Sequence, residues 1–114
     1  MVVLVFDPDL IFSSKVESAV KRIGLDCKVV SSPDDLVSAA LAKPQALILN
    51  LDLLGQRYEL LHEFSEHGTL LLGYYSHVNV KVDEIAKNNG IVSFPRGAFI
   101  SRLESVLSGT RSVS

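Results

Sequence analysis

Several features that would assign this chain to a specialised class are scarce or missing. The 114 residues include one Cys and no Trp, and the 11 Lys and Arg residues are outnumbered by 13 Asp and Glu residues. Cys27 cannot form a disulfide within the chain. Apolar residues alternate along the run that contains it, which favours a buried, reduced thiol over a reactive one. Without a basic cluster, the slight acidic excess argues against direct binding of nucleic acid.

Long apolar runs are also missing. No stretch approaches the ~18 residues that a membrane-spanning helix needs, and residues 1–7 lack the basic start and small-residue cleavage site of a signal peptide. We therefore expect a cytoplasmic protein that does not contact a membrane. The apolar content of 47% fits one compact domain, which we place at residues 1–108, followed by a flexible polar tail at 109–114.

The chain does contain short apolar runs that alternate with helical patterns. Five such runs predict strands at Val2–Phe6, Leu25–Val30, Gln45–Asn50, Thr69–Tyr74 and Ile91–Phe94. Helical periodicity predicts a helix after each strand, and the last of them covers about Ala98–Leu107. This alternation predicts an α/β fold with a parallel sheet between helices, and the flavodoxin-like strand order 2-1-3-4-5 is the common one for five units of this size.

The segment from Pro44 to Gly55 is the most informative one. Its apolar strand ends at Asn50, and in open α/β sheets the chemistry lies just beyond such strand ends. The segment resembles the third strand of response-regulator receiver domains, which begins near a Pro and ends in a phosphate-accepting Asp, with a Gly five residues later. Asn50 stands at the acceptor position. The resemblance covers essentially the whole chain and implies a CheY-like (βα)5 domain with the strand order 2-1-3-4-5.

The resemblance also implies a metal site that this chain does not complete. In the family, an acidic pair after the first strand and the acceptor carboxylate together hold a magnesium ion. Asp7 matches the first acid, Pro8 replaces the second, and Asp9 lies one place further along. Because a carboxamide cannot form an acyl phosphate and Mg²⁺ needs several oxygen ligands, we expect a pseudo-receiver with no metal, cofactor or catalytic residue.

Two further family positions are changed. The Ser or Thr beyond the fourth strand corresponds to Tyr75, although a one-residue slip would exchange it with Ser76. The Lys that precedes a cis proline on the fifth strand corresponds to Phe94, and the sequence leaves the isomer of the Phe94–Pro95 bond open. The predicted degenerate pocket therefore consists of Asp7, Pro8, Asp9, Asn50, Tyr75, Ser76, Phe94 and Arg96.

These residues allow more than one interpretation. Asp7 and Asn50 could simply cap strand ends and loops through side-chain hydrogen bonds, or they could form a remodelled pocket for a small molecule or anion. Asp52 is a weaker candidate for a substitute acceptor. The pair His62 and His67 does not indicate a metal, because residues five apart lie about 140° apart around a helix. Ser76 and His77 lack the strand-turn-helix context of a nucleophile and its base.

A possible interface lies near the fourth helix, the fifth strand and the fifth helix, a surface that commonly mediates dimerisation in the family. Its candidate residues are Ile85, Phe94, Phe99, Ile100 and Leu103, although most of them could instead belong to the core. The aromatic pair Tyr74 and Tyr75 could also add contact area at the mouth of the sheet.

We therefore predict a phosphorylation-independent, receiver-like module of two-component signalling, which binds a protein partner or forms a homodimer. The alternative is a non-catalytic binding module for a small molecule or anion in the remodelled pocket. An enzyme is disfavoured, because no nucleophile has a placed base and no Gly-rich phosphate loop follows the first strand.

Overall fold

The computed structural model describes residues 2–39, 42–54, 61–66, 68–76 and 80–112. In chain order the elements are β1 Val2–Phe6, α1 Leu10–Arg22, β2 Asp26–Val30, α2 Pro33–Ala39, β3 Ala46–Asn50, α3 Leu51–Leu54, α4 His62–Glu66, β4 Leu70–Tyr75, α5 Val80–Asn88, β5 Val92–Pro95 and α6 Arg96–Ser112. Gly55, His67 and His77, which enter the sequence analysis, lie outside the described residues.

The strands form one parallel sheet in the order β2-β1-β3-β4-β5, which confirms the predicted α/β fold and strand order. In this sheet β1 and β4 both pair with β3. Phe6 of β1 lies beside Leu49, and Tyr74 of β4 lies beside Asn50. The carboxyl ends of these three strands therefore meet at one edge of the sheet.

Helices cover both faces of the sheet and give the core two layers. The alternation of side chains along β3 sends Ile48 towards α1 and α6 and sends Leu49 towards the helices α2 to α5. All five residues of β3 are buried. This double coverage explains why the strand has an almost uninterrupted apolar sequence.

The two ends of α1 have clear local causes. The carboxylate of Asp9 accepts hydrogen bonds from the backbone N–H groups of Ile11 and Phe12 and so caps the start of α1. After α1, Gly24 adopts a φ of 94°, a left-handed conformation that glycine reaches without strain. The chain can therefore turn directly from α1 into β2.

Other boundaries differ from the sequence prediction. Residues Leu51–Leu54 form a short helix directly after β3, because the side-chain oxygen of Asn50 accepts a hydrogen bond from the backbone N–H of Asp52 and supports a helical turn. The helix α6 is longer than predicted at both ends and continues to Ser112, past the predicted start of the tail. Leu107, near its last turns, is completely buried. The domain boundary at residue 108 stays a prediction.

Within the described residues, no helix combines the length and apolar character needed to cross a bilayer. Burial raises the pKa of the Cys27 thiol to about 11, and the nearby charge of Glu17 acts in the same direction. The thiol therefore stays protonated near neutral pH, in agreement with the unreactive cysteine that the sequence favours.

Candidate functional site

Asp7 follows β1 directly and is completely buried. Its Oδ1 accepts hydrogen bonds from the Asn50 amide nitrogen at 3.1 Å and from the backbone N–H of Asp9 at 2.9 Å. Its Oδ2 accepts a hydrogen bond from the hydroxyl of Tyr74. A buried carboxylate is costly unless hydrogen bonds replace its lost water. Asp7 therefore has neutral donors on both oxygens, and two of them come from the neighbouring strands β3 and β4.

The orientation of Asn50 follows from its two hydrogen bonds. Its carbonyl oxygen accepts from the backbone N–H of Asp52 at 3.1 Å, so its NH2 group must face Asp7. The side chain is 3% exposed. Asn50 therefore acts here as a hydrogen-bond donor to Asp7 and does not present a nucleophile to solvent.

Tyr74 is the site residue that the sequence analysis missed. Its ring is completely buried and packs against the rings of Phe12 and Phe99, with centroid separations of 4.7 and 4.9 Å. Burial, followed by the hydrogen bond to Asp7, raises the pKa of Tyr74 far above its usual range. The hydroxyl therefore stays protonated and donates to Asp7.

The structure corrects the assignment of Tyr75 to this pocket. Tyr75 belongs to the core layer on the other face of the sheet. There Asp83 accepts a hydrogen bond from Ser93 at 2.5 Å and pairs with Lys87 at 2.9 Å. Burial, the charge of Asp83 and a hydrogen bond to it raise the pKa of Tyr75. Strand alternation from Asn50, combined with the register of β4, would have identified Tyr74 instead.

Arg96 joins the site from the start of α6. Its guanidinium lies 3.4 Å from Asp9 Oδ2 and 4.7 Å from the centre of the Phe12 ring. Asp9 therefore has two functions, since its other oxygen caps α1. The ion pair is partly exposed, so its contribution to stability is small, about 0–1 kcal/mol.

The other predicted pocket residues lie at the margins of this network. Pro8 is exposed, and the backbone N–H of Ser76 donates to Asp52 at 2.8 Å. Phe94 is half-buried and packs with the layer that contains Phe99. The described chain has no cis peptide bond, so the bond before Pro95 is trans, where the sequence left the isomer open.

The predicted interface residues divide into two groups. Phe99 and Leu103 are each 1% exposed and belong to the core, which is one of the two alternatives that the sequence left open for them. Ile85 is 42% exposed, and Phe94 and Ile100 are partly buried. Exposed apolar area on this surface is therefore smaller than the sequence predicts.

The residues at Asp7 do not fit a magnesium ion. Asn50 turns a nitrogen donor, not an oxygen ligand, towards Asp7, and Pro8 has no side-chain ligand. Mg²⁺ requires near-octahedral oxygen coordination. Across the part of the chain that the structure describes, no group of three His, Cys, Asp or Glu side chains is placed to hold a metal ion.

Comparisons with known proteins identify the fold. Similar solved structures include a response regulator receiver protein from Burkholderia phymatum, with a TM-score of 0.72 and 20% identity over 94% of each chain. A CheY-like receiver domain protein from Methanospirillum hungatei JF-1 has a TM-score of 0.72 and 10% identity, over 99% of this chain and 98% of that chain. NtrX from Brucella abortus has a TM-score of 0.74 and 19% identity, over 96% of this chain but 27% of that chain.

No family model matches the sequence, and no curated protein matches it. The structural similarities show that the chain has the flavodoxin-like fold of CheY-type receiver domains, as the sequence resemblance predicts.

Proposed function

We propose that this chain is a receiver-like signalling module whose state is not set by phosphorylation, and which acts by contact with a partner protein or with a second copy of itself. The hydrogen bond from the Asn50 amide nitrogen to Asp7, at 3.1 Å, is the main support. On this proposal the module has no catalytic activity of its own and works in the cytoplasm within two-component-type signalling. The receiver fold supports this signalling class by analogy.

The chemistry of the site supports phosphorylation independence. Phosphoryl transfer needs a nucleophile at the acceptor position and positive charge on the phosphoryl oxygens. Asn50 offers a carboxamide, which is not a nucleophile, and its NH2 group is directed to Asp7. The nearby guanidinium of Arg96 is already paired with Asp9.

The surface supports action through protein contact. The large apolar side chains that are exposed among the described residues are Leu10, Ile11, Leu53, Ile85 and Val92. Leu10 and Ile11, which are 70% and 76% exposed, are adjacent in the first turn of α1 beside Asp9. Exposed apolar side chains favour contact with a protein. The polar groups around Asp7 are already bonded to one another, which favours a protein partner over a small ligand in the pocket.

The test combines a chemical and a physical measurement. The protein is incubated with Mg²⁺ and a small phosphodonor, or with Mg²⁺ and beryllofluoride, beside a phosphorylatable receiver domain as a positive control. Intact mass and ¹⁹F NMR should show an adduct only in the control, and light scattering should give the same solution mass with and without the donor. A stoichiometric adduct on this chain, or a change of its solution mass with the donor, would contradict the proposal.

A further inference from the structure

We propose that Tyr74 is the residue that excludes divalent cations from Asp7, because its hydroxyl is hydrogen-bonded to Oδ2, one of the two oxygens that a cation could use. The inference deepens the proposed function and rests on it, since it explains why the ancestral site of the fold is closed. It also assigns cation exclusion to Tyr74, which is not one of the acidic positions that hold the metal in the family.

The hydrogen bonds of Asp7 leave little room for a cation. Among the described residues, Tyr74 donates to Oδ2, while Asn50 and the backbone N–H of Asp9 donate to Oδ1. These donors occupy most of the lone-pair positions of the carboxylate, so a cation that uses both oxygens of Asp7 must displace at least one of them. The backbone N–H of Asp9 is fixed by the turn into α1, which leaves Asn50 and Tyr74 as the two groups that decide access.

Tyr74 cannot easily move away from Asp7. Its ring is completely buried between Phe12 and Phe99, and its backbone is paired with Asn50 across β3 and β4. Protein interiors are close-packed, so rotation of a buried ring of this size would displace its neighbours. The hydroxyl is therefore a fixed part of the site.

The same geometry predicts that restoring the acceptor carboxylate does not restore the cation site. Asn50→Asp is nearly isosteric, but it places a second carboxylate next to Asp7 Oδ1, where the amide nitrogen now lies at 3.1 Å. Two carboxylates this close repel each other without a cation between them. Tyr74 still occupies Oδ2 in this variant, so the cation has no complete set of ligands.

The experiment compares four variants: Asn50→Asp, Tyr74→Phe, the double variant Asn50→Asp with Tyr74→Phe, and the matched control Asn50→Asp with Tyr75→Phe. The control removes a hydroxyl from the opposite face of the sheet. Mn²⁺ affinity is measured by electron paramagnetic resonance and Mg²⁺ affinity by calorimetry, and circular dichroism checks the fold. We expect the Asn50→Asp, Tyr74→Phe double variant to bind at least about tenfold more tightly than Asn50→Asp and the control.

Three results would overturn the inference. If Asn50→Asp alone binds Mn²⁺ as tightly as the double variant, Tyr74 does not exclude the cation, and this result requires no Tyr74 variant to fold. If the folded double variant binds no more tightly than the control, the hydroxyl is not the block. A further double variant, Asn50→Asp with Tyr74→Leu, removes the ring as well, and it must also bind more tightly than Asn50→Asp.

The failure of this inference is distinguishable from failure of the proposed function. Tight Mn²⁺ binding by Asn50→Asp would leave the natural chain, with its carboxamide, unable to accept a phosphoryl group. A phosphoryl adduct on the natural chain would contradict the proposed function whatever the affinities of the variants.

Discussion

Replacing Tyr74 by Phe removes one hydroxyl from a site in which no described buried side-chain nitrogen or oxygen lacks a partner. Asp7 would keep its bonds from Asn50 and from the backbone of Asp9, but Oδ2 would lose its donor. Hydrogen bonds to charged groups contribute about 1.5–3 kcal/mol. We expect Tyr74→Phe to lower the free energy of unfolding by about that amount, as measured by urea denaturation monitored by circular dichroism.

Tyr75→Phe is the matched control for this prediction. It removes a hydroxyl at Asp83, a carboxylate that is less buried and that keeps Lys87 and Ser93 as partners. A smaller loss of stability is therefore expected for Tyr75→Phe. If the two variants lose equal stability, the buried hydrogen bond between Tyr74 and Asp7 contributes no more to the free energy of unfolding than the more exposed one at Asp83.

At the scale of a single side chain, the sequence predicted part of the site. The resemblance to receiver domains implied that Asp7 and Asn50 lie close together, and they do so because the carboxyl ends of β1 and β3 meet at one edge of the sheet. The choice between Tyr74 and Tyr75 did not follow, because the register of β4 is set by pairing with β3, and a shift of one residue exchanges the two faces. Local sequence does not contain that information.

Among the elements, α3 packs closely against β4 at Gly73. A Cβ atom added to Gly73 of β4 would lie 2.7 Å from Leu51 Cδ1 and 2.8 Å from Leu51 Cγ. Leu51 is the first residue of α3 and is 1% exposed, so its side chain is enclosed by the core and has little room to move away from an added Cβ atom. Overpacking of this kind costs about 1–3 kcal/mol.

We therefore expect Gly73→Ala to lower the free energy of unfolding by about 1–3 kcal/mol, measured by thermal or urea denaturation. Gly97→Ala is the control, because a Cβ atom at that helical position meets no atom within 4 Å. It should be neutral or stabilise by up to about 1 kcal/mol. An unchanged stability for Gly73→Ala would show that α3 can move away from β4.

The elements themselves were largely predictable, and the exceptions have physical causes. The apolar runs predicted both ends of each of the five strands to within one residue. The short helix α3 was not predicted, because it depends on a hydrogen bond from the backbone of Asp52 to the side chain of Asn50. The pairing of Arg96 with Asp9 was not predicted either, since it joins the starts of α6 and α1, which are 87 residues apart in the sequence.

For the whole molecule, the two described tyrosines predict how stability depends on pH. The pKa values of Tyr74 and Tyr75 are raised in the folded state, mainly by burial. The folded state therefore holds protons that the unfolded state loses above its tyrosine pKa of about 10. This contribution to stability is complete below about pH 10 and decreases as the pH rises above that value.

We expect the midpoint of urea denaturation to fall above about pH 10, with tyrosinate absorbance at 295 nm from Tyr74 appearing together with loss of the far-ultraviolet circular dichroism signal. Tyr74→Phe should show a weaker dependence on alkaline pH. Complete ionisation of all 3 tyrosines of the chain while the dichroism signal stays intact would contradict the prediction.

The hydrogen bond from the Asn50 amide to Asp7 also limits the order in which substitutions at this site can occur during evolution. A single codon change that turns residue 50 into an aspartate would set two negative groups about 3 Å apart in a dry interior, a change that lowers stability before it offers any gain. Selection would have to tolerate that less stable intermediate until position 74 changed as well. The present arrangement of amide and carboxylate is therefore easier to keep than to convert into one with two carboxylates.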